Sequence, residues 1–314
     1  MSQVAYLWDS ISLKHDTGRH VEQIARAERL CPDRIGASLI GATFPEIQEH
    51  DAVEAILRVH GREYVDWVRS VCEGGGGLLD AGDTVVSRDS YDAAIAGVNA
   101  GLTGVDLVMG DSGERRAFCA MRPPGHHALP DRAMGFCLFA NVSIAARYAQ
   151  AAYGVERVAI VDFDVHHGNG TQDIFYADGS VLFVSMHQHP LWPMSGLANE
   201  CGVGDGIGTT LNLPLAPGTT EAEQLQTFRE KVLHAVQSFR PALLFISAGF
   251  DAHRDDPLGG LMMTEAGFAE MTQGLVDVAA ACCEGRVVSF LEGGYNLDAL
   301  ESSVVSHVGA LRGG

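Results

Sequence analysis

The sequence predicts an α/β fold: a single domain over residues 1–314, with a doubly wound, mostly parallel sheet and helices on both faces. Three observations support this prediction. Short apolar segments rich in β-branched residues recur along the chain, helical patterns lie between many of them, and no internal repeat or long linker interrupts the series. Strands that alternate with helices are joined by parallel crossovers. Strands that are apolar almost throughout also fit a sheet covered on both faces.

The individual elements follow from these patterns. The predicted strands are at residues 4–8, 117–121, 157–161, 181–186, 209–213, 243–247 and 287–291. The predicted helices are at residues 64–71, 141–152, 220–239 and 264–283. The glycine run at residues 74–77 is predicted to be a loop, because glycine weakens regular structure.

The charge balance bears on possible partners. The chain has 40 acidic and 21 basic side chains, which give a formal net charge of −19. A field of this sign repels nucleic acid and would attract a cationic substrate. Many soluble enzymes are also acidic, so the charge alone does not select a substrate. We expect no nucleic-acid partner, and a homo-oligomer is compatible with the composition.

Location is predicted from apolar runs and cysteines. No apolar run reaches the roughly 18 residues that span a bilayer, and the N-terminus lacks the basic and apolar blocks of a secretory signal. The seven cysteines are an odd number and include the neighbours Cys282 and Cys283. This pattern favours reduced thiols over a disulfide framework. We therefore expect a cytoplasmic protein that is not embedded in a membrane.

Polar side chains follow four of the predicted strands at the points where the strands end. In open α/β sheets, ligands bind beyond the carboxyl ends of the strands. These side chains should therefore meet at one edge of the sheet. In chain order they are His126, His127, Asp162, Asp164, His166, His167, Asp251, Glu292 and Tyr295.

A metal site is predicted at two of these strand ends. Alternation along an extended chain places Asp162, Asp164 and His166 on one side. Carboxylate and imidazole together suit zinc, and Asp251 can supply a third ligand. Three protein ligands leave a position open, as in catalytic sites. A lone Asp-x-His is more often a solvated turn, but the second histidine and the glycine-rich exit favour the metal site.

Two further groups suit acid–base and oxyanion chemistry. His126 and His127 follow a rigid Pro-Pro-Gly turn and titrate near neutrality, so they suit proton transfer. A separate metal site or a packed loop pair is the alternative for them. Tyr295 follows two glycines that allow a sharp turn, and a phenol there can stabilise an oxyanion. Taken alone, a Gly-Gly-Tyr sequence favours a buried structural tyrosine.

Six sequence blocks resemble the histone deacetylase and acetylpolyamine amidohydrolase superfamily, and most closely its class II and bacterial deacetylase branch. The resemblance runs from about residue 15 to residue 297 and implies the arginase/deacetylase-like fold. The blocks are HDTGRHVE at 15–22, RPPGHHA at 122–128, GFCLFAN at 135–141, DFDVHHGNG at 162–170, SAGFD at 247–251 and LEGGYN at 291–296.

The resemblance implies roles for individual residues. One catalytic Zn2+ per chain would be bound by Asp164, His166 and Asp251. His126 and His127 would be the acid–base pair, Asp162 would orient His126, and Tyr295 would polarise the substrate carbonyl. The implied substrate-binding residues are Gly135, Phe136, Leu258 and Gly293, with a further aromatic side chain near residues 187–192. Structural K+ ions would be bound by Asp162, Asp164, His166, Ser185 and Met186, and by Phe175, Asp178 and Val181.

The sequence also departs from the family pattern. Asn169 stands where the family has an acidic partner for the second histidine, so His127 should be less basic than His126. Val21 replaces a common proline. Residues 251–255 spell an arginase-like motif, in which we predict that His253 and Asp255 bind no metal.

The expected function is zinc-dependent hydrolysis of an N-acetylated primary amine such as acetyl-lysine, with release of acetate. Leu258 stands at the position where polyamine deacetylases of this superfamily can carry a carboxylate, which favours acetyl-lysine or a broad range of acetylated amines. Glu22 or Asp83 could supply a rim carboxylate instead. A dedicated acetylpolyamine amidohydrolase, a binuclear manganese ureohydrolase and a catalytically silent acyl-lysine binding module are the alternatives.

Overall fold

A central sheet of eight parallel strands organises the computed structural model, which describes residues 3–82 and 84–313. Within the described residues the strands are β1 (Val4–Leu7), β2 (Ala42–Thr43), β3 (Gly76–Leu78), β4 (Val85–Ser87), β5 (Arg116–Cys119), β6 (Val158–Asp162), β7 (Val181–Gln188), β8 (Thr210–Leu215), β9 (Leu243–Ala248) and β10 (Val287–Leu291). The order across the large sheet is β2-β1-β5-β10-β9-β6-β7-β8, and β3 and β4 form a separate antiparallel pair. All seven pairings in the large sheet are parallel.

Helices lie between the strands and cover the sheet. They are α1 (Ile24–Arg29), α2 (Pro32–Ile35), α3 (Ala52–Ile56), α4 (Arg62–Glu73), α5 (Ser90–Met109), α6 (Asn141–Tyr153), α7 (Asn169–Phe175), α8 (Glu221–Thr227), α9 (Leu233–Phe239), α10 (Glu265–Cys282) and α11 (Leu297–Leu311). A π-helical turn at Phe228–Val232 joins α8 to α9. Short 3-10 helices occupy Ser10–Lys14 and Gly204–Gly206.

Alternate residues of each strand pack into cores on opposite faces of the sheet. Ala159 and Val161 of β6 belong to the core that includes α10 and α11. Val158 and Ile160 belong to the core that includes α5 and α6. Because successive side chains of a strand point to opposite faces, both faces are apolar and both are covered. The predicted doubly wound α/β fold is therefore confirmed.

The structure differs from the predicted elements in several places: α1, α2, α3, α5, α7, α11 and β4 were not predicted, and the helix predicted at residues 220–239 is divided into α8, the π-helical turn and α9. The two residues of β2 are too few to give a pattern. The predicted glycine loop contains the start of β3, where a Cβ at Gly76 would overlap the carbonyl of Val86. Helix α5 was not predicted because glycine lowers helix propensity. Within it, Gly101 lets the helix approach β10, since a Cβ there would lie 2.8 Å from the Phe290 ring.

Among the described residues, none of the helices combines the length and the apolar character that crossing a bilayer requires.

Candidate active site

Four neighbouring strands, β5, β10, β9 and β6, present the predicted site residues at their carboxyl ends. Asp162, the last residue of β6, is in register with Ser247 of β9. Ala248 of β9 is in register with Leu291 of β10. Because these strands are parallel and adjacent, the loops that follow them converge on one edge of the sheet.

Asp164, His166 and Asp251 form a buried cluster at this edge, with one potential ligand atom from each within 4.8 Å of the others. The Nδ1 atom of His166 lies 3.1 Å from Oδ1 of Asp164 and 3.1 Å from Oδ2 of Asp251. In the part of the chain that the structure describes, no other group of three His, Cys, Asp or Glu side chains is close enough together to hold a metal ion.

Backbone amides orient the two carboxylates of this cluster. Asp164 accepts the N–H of His166 at 2.8 Å and the N–H of Gly293 at 2.8 Å. Oδ1 of Asp251 accepts the N–H of Val165 at 2.9 Å, which leaves Oδ2 facing His166. These bonds fix the direction of each carboxylate before any ligand is bound.

The chemistry of this cluster fits a zinc ion. A Cβ at Gly249 would overlap the Asp164 carboxylate, and one at Gly293 would overlap the Asp251 carboxylate, so glycine is required behind both. Among the protein groups alone, burial and the negative charge of Asp164 raise the pKa of Asp251 to about 7. A cation shared by the two carboxylates would relieve this repulsion. Carboxylate oxygens and imidazole nitrogens are both zinc ligands in proteins, and three protein ligands are the number found in catalytic zinc sites.

His126 and His127 lie side by side, with ring centroids 3.9 Å apart. Nδ1 of His126 is 2.9 Å from Oδ2 of Asp162, and Nδ1 of His127 is 2.7 Å from Oδ1 of Asn169. With the proton of His127 on Nδ1, where it donates to Asn169, its Nε2 is free to accept a proton.

The two histidines have pKa values that differ in the predicted direction. Burial lowers the pKa of His126, but Asp164 and Asp162 outweigh burial and hold it well above its usual value. Burial and the positive charges of His126 and His166 hold the pKa of His127 well below its usual value. Carboxylates therefore dominate the surroundings of His126 and favour a charged imidazole, whereas burial and neighbouring positive charge dominate around His127 and favour a neutral one.

A pocket of about 180 Å³ opens onto this cluster. Its walls combine apolar and polar side chains, namely His127, Gly135, Phe136, His166, Trp192, Leu258 and Tyr295. Burial and the charge of Asp251 raise the pKa of the Tyr295 phenol well above its usual value, so it retains its proton. A protonated phenol in the wall can donate a hydrogen bond to a bound carbonyl.

The aromatic wall at Phe136 is held by residues that sequence reasoning missed. The N–H of Phe136 donates to Oγ1 of Thr84 at 3.1 Å, and Thr84 donates to Asp80 at 2.7 Å. Phe136 has a φ of +70°, a conformation that costs energy for a bulky side chain. Thr84 and Asp80 lie outside every predicted element and motif, so no local signal pointed to them.

The role of Glu292 was also missed. The residue was noted at a strand end without a role, and its buried carboxylate accepts the backbone N–H of Gly125 at 2.7 Å and of His126 at 3.1 Å. Ser247 donates to its other oxygen at 3.1 Å. Burial raises the pKa of Glu292 to about 7. Glu292 therefore ties the histidine turn to β9.

The proposed rim carboxylates need a correction. Glu22 is fully buried and forms ion pairs with Arg122 and with Arg26, the latter at 2.9 Å. Because Glu22 is buried and its charge is neutralised by these two guanidinium groups, it cannot contact a substrate at the rim of the pocket. Asp83 lies outside the described residues.

The remaining predicted residues are Gly293, expected to bind substrate, and the residues expected to bind potassium. Gly293 lies behind the carboxylates, donating to Asp164, and is not among the pocket-lining residues of the described chain. Of the residues predicted to bind potassium, Ser185 has its Oγ 3.0 Å from Nδ1 of His187, and Asp178 has its carboxylate 2.6 Å from Arg147. Potassium binding stays a prediction.

His253→Ala should leave the metal stoichiometry of the protein unchanged. Nδ1 of His253 accepts the N–H of Asp255 at 3.1 Å, so the ring proton is on Nε2, which faces Glu265 at 3.5 Å. With Nδ1 accepting a hydrogen bond and Nε2 protonated, neither ring nitrogen offers a free lone pair to a metal in this arrangement. Elemental analysis of the variant beside the unmodified protein measures the stoichiometry. Loss of a second tightly bound metal in the variant would contradict this prediction.

Known proteins resemble the chain along most of its length. A family model described as the histone deacetylase domain matches residues 20–311. The chain is 42% identical over 284 residues to histone deacetylase 10, chloroplastic, of Oryza sativa subsp. japonica, covering 87% of this chain. It is 41% identical over 245 residues to the histone deacetylase-like amidohydrolase of Pseudomonas aeruginosa, covering 77% of this chain. The matched segment spans 64% of the length of each of these two relatives.

A solved structure extends the similarity to the fold. The crystal structure of acetylpolyamine aminohydrolase from Burkholderia pseudomallei is similar with a TM-score of 0.86 and 27% identity. The similarity covers 99% of this chain and 98% of that one.

Proposed function

This chain belongs to the histone deacetylase family, and we propose that it is a zinc-dependent deacetylase that hydrolyses the amide of an N-acetylated primary amine. One observation carries the proposal. A single pocket is lined by His127, His166 and Tyr295 and opens onto the buried cluster of Asp164, His166 and Asp251. These are the groups that amide hydrolysis needs: a Lewis-acid site, a proton acceptor and an oxyanion donor.

Asp164, His166 and Asp251 would bind the zinc ion. When bound, zinc polarises a carbonyl and lowers the pKa of a water molecule. Tyr295, in the pocket wall, would donate to the acetyl oxygen as negative charge develops there. Phe136, Trp192 and Leu258 would exclude water from the aliphatic chain of the substrate.

His127 would move the proton. It lines the pocket, and its Nε2 is free because Nδ1 donates to Asn169. We assign it the proton from the attacking water and its delivery to the departing amine. His126, paired with Asp162 at 2.9 Å, would stay charged and stabilise the negative charge that develops beside it. The products are acetate and a free amine.

Acetate release from a panel of acetylated amines tests this function. The panel contains acetyl-lysine peptides, acetylputrescine, acetylcadaverine and acetylspermidine, each assayed with the zinc-loaded and the chelator-treated protein. Zinc-dependent release from at least one amine is expected. No release from any amine would overturn the proposal.

The second candidate is a dedicated acetylpolyamine amidohydrolase. It is favoured by the similarity to the Burkholderia pseudomallei enzyme and by the net charge of −19. Long-range attraction of a cation is screened over about 10 Å at ordinary salt, so this charge contributes weakly. Leu258 in the pocket wall offers a cationic chain no partner. We therefore favour acetyl-lysine or a broad range of acetylated amines.

Values of kcat/KM at matched salt should show no preference for acetylspermidine or acetylputrescine over an acetyl-lysine peptide. The physical reason is the apolar side chain of Leu258 in the pocket wall. A polyamine preference above about tenfold, or about 1.4 kcal/mol, would contradict this prediction. Leu258→Glu is the matched control. It should raise the relative kcat/KM for acetylspermidine about fivefold, the scale of one exposed ion pair of about 1 kcal/mol.

A further inference from the structure

We propose that Asp256 is a positioning residue that fixes two parts of the pocket at once, the Tyr295 phenol and the Leu258 wall. The inference rests on the proposed function, because it concerns how the same site is held in shape. Asp256 is 8% exposed. It is not among the pocket-lining residues of the described chain, so it would act through its neighbours.

The carboxylate of Asp256 accepts three backbone N–H groups from two segments. Oδ2 accepts from Tyr295 at 2.7 Å and from Asn296 at 3.1 Å. Oδ1 accepts from Leu258 at 3.0 Å. An ionised carboxylate has about four acceptor positions, so it satisfies all three donors together. Asp256 thereby joins the loop after β9 to the turn after β10.

The turn that carries Tyr295 is held from its other side by Arg26. The guanidinium of Arg26 donates to the carbonyl oxygen of Gly294 at 2.7 Å and to that of Glu292. Arg26 thus binds the carbonyl groups of the turn and Asp256 binds its amides. Gly294 has a φ of +122°, so the turn depends on glycine and on these outside contacts. Removing Asp256 would release one of the two sides.

Asn296 extends the same connection. Its Nδ2 donates to the carbonyl of Asp255 at 2.9 Å, and its Oδ1 accepts the N–H of Asp298 at 3.1 Å at the start of α11. The loop after β9, the turn after β10 and the first turn of α11 are therefore linked. A displacement of the Asp256 loop would be passed to the Tyr295 backbone.

Two ring contacts hold the Tyr295 side chain itself among the described residues. Its ring packs edge-on against Phe136 at 6.0 Å, and Cζ of Arg26 lies 5.0 Å from its centroid. A displacement of about 1 Å at a reacting group can cost about 10²-fold in rate. Loss of Asp256 should therefore lower kcat through Tyr295 and alter KM through Leu258.

The test is a double-mutant cycle on the zinc-loaded protein with an acetyl-lysine peptide. Asp256→Asn keeps the shape but points an NH2 group at a backbone N–H, so kcat should fall by about 10- to 100-fold with zinc content unchanged. In a Tyr295→Phe background the same change should alter kcat by less than about twofold, because coupled residues are not additive. Asp277→Asn, at an exposed position on α10, is the control and should leave kcat unchanged.

Asp256→Glu is a second variant that tests the same role if Asp256→Asn does not fold. Glutamate keeps the charge but displaces it by one methylene. Asp256→Glu should therefore lower kcat by a similar factor, and its effect should again be small in the Tyr295→Phe variant. If the Asp256 substitutions lower kcat by the same factor in the unmodified protein and in Tyr295→Phe, Asp256 does not act through Tyr295. Full activity of Asp256→Asn would likewise overturn the positioning role. An inactive unmodified protein would instead overturn the proposed function, so the two failures are distinguishable.

Discussion

Replacing Asp251 with alanine should remove most of the bound zinc and reduce acetate release to background. Asp251 supplies one of three potential ligand atoms within 4.8 Å of one another, and a methyl group can neither bind a metal nor accept the Val165 N–H. The loss should exceed the roughly 10- to 100-fold in metal affinity that follows removal of a group that merely orients a ligand. Elemental analysis together with an acetate assay measures both effects.

Asp255→Ala is the matched control for this experiment, since its carboxylate is four residues away and largely exposed. It should retain one zinc per chain and normal turnover. Full zinc occupancy in Asp251→Ala would show that the ligand assignment is wrong. Two tightly bound transition metals in the unmodified protein would favour the binuclear ureohydrolase instead.

Tyr295→Phe should keep its zinc and lose about 10²–10³ in kcat, or about 2.7–4 kcal/mol, the usual effect of losing one oxyanion donor. The substitution removes only the hydroxyl, so the packing of the ring against Phe136 and Arg26 is retained. Steady-state kinetics and zinc content should be measured on the same preparation.

Tyr153→Phe is the control for loss of a phenol elsewhere. The Tyr153 hydroxyl donates to Asp106 at 2.8 Å on the protein surface, so its removal should leave kcat unchanged. Near-normal turnover in Tyr295→Phe would show that another group stabilises the oxyanion.

The strands that carry the site could be predicted because their signal is local. Each combines consecutive apolar residues with polar residues immediately afterwards, as in the segment that ends at Asp162. The strand predicted at residues 157–161 is observed at Val158–Asp162. Because parallel strands end at one edge, the meeting of Asp164, His166 and Asp251 could be predicted from the fold class together with their positions just after two strands.

Residues that support the site could not be predicted, because their partners are distant in sequence. The Thr84 hydroxyl meets the Phe136 amide across 52 positions, and Glu22 meets Arg122 across 100. No periodicity or spacing encodes such pairs. Glu22 was one of two residues named as a possible rim carboxylate, and its ion pairs with two buried arginines place it in the interior instead.

The bonds from Arg26 to the turn after β10 have a consequence for synthesis on the ribosome. The side chain of Arg26 and the carbonyl of Gly294 are 268 positions apart. At about 5–20 residues per second, roughly 10–50 s pass between the emergence of the two partners. During that interval the guanidinium of Arg26 lacks these acceptors, and the edge of the sheet that would bind the metal is incomplete. The nascent chain therefore acquires a closed active site only after its last strand has been made.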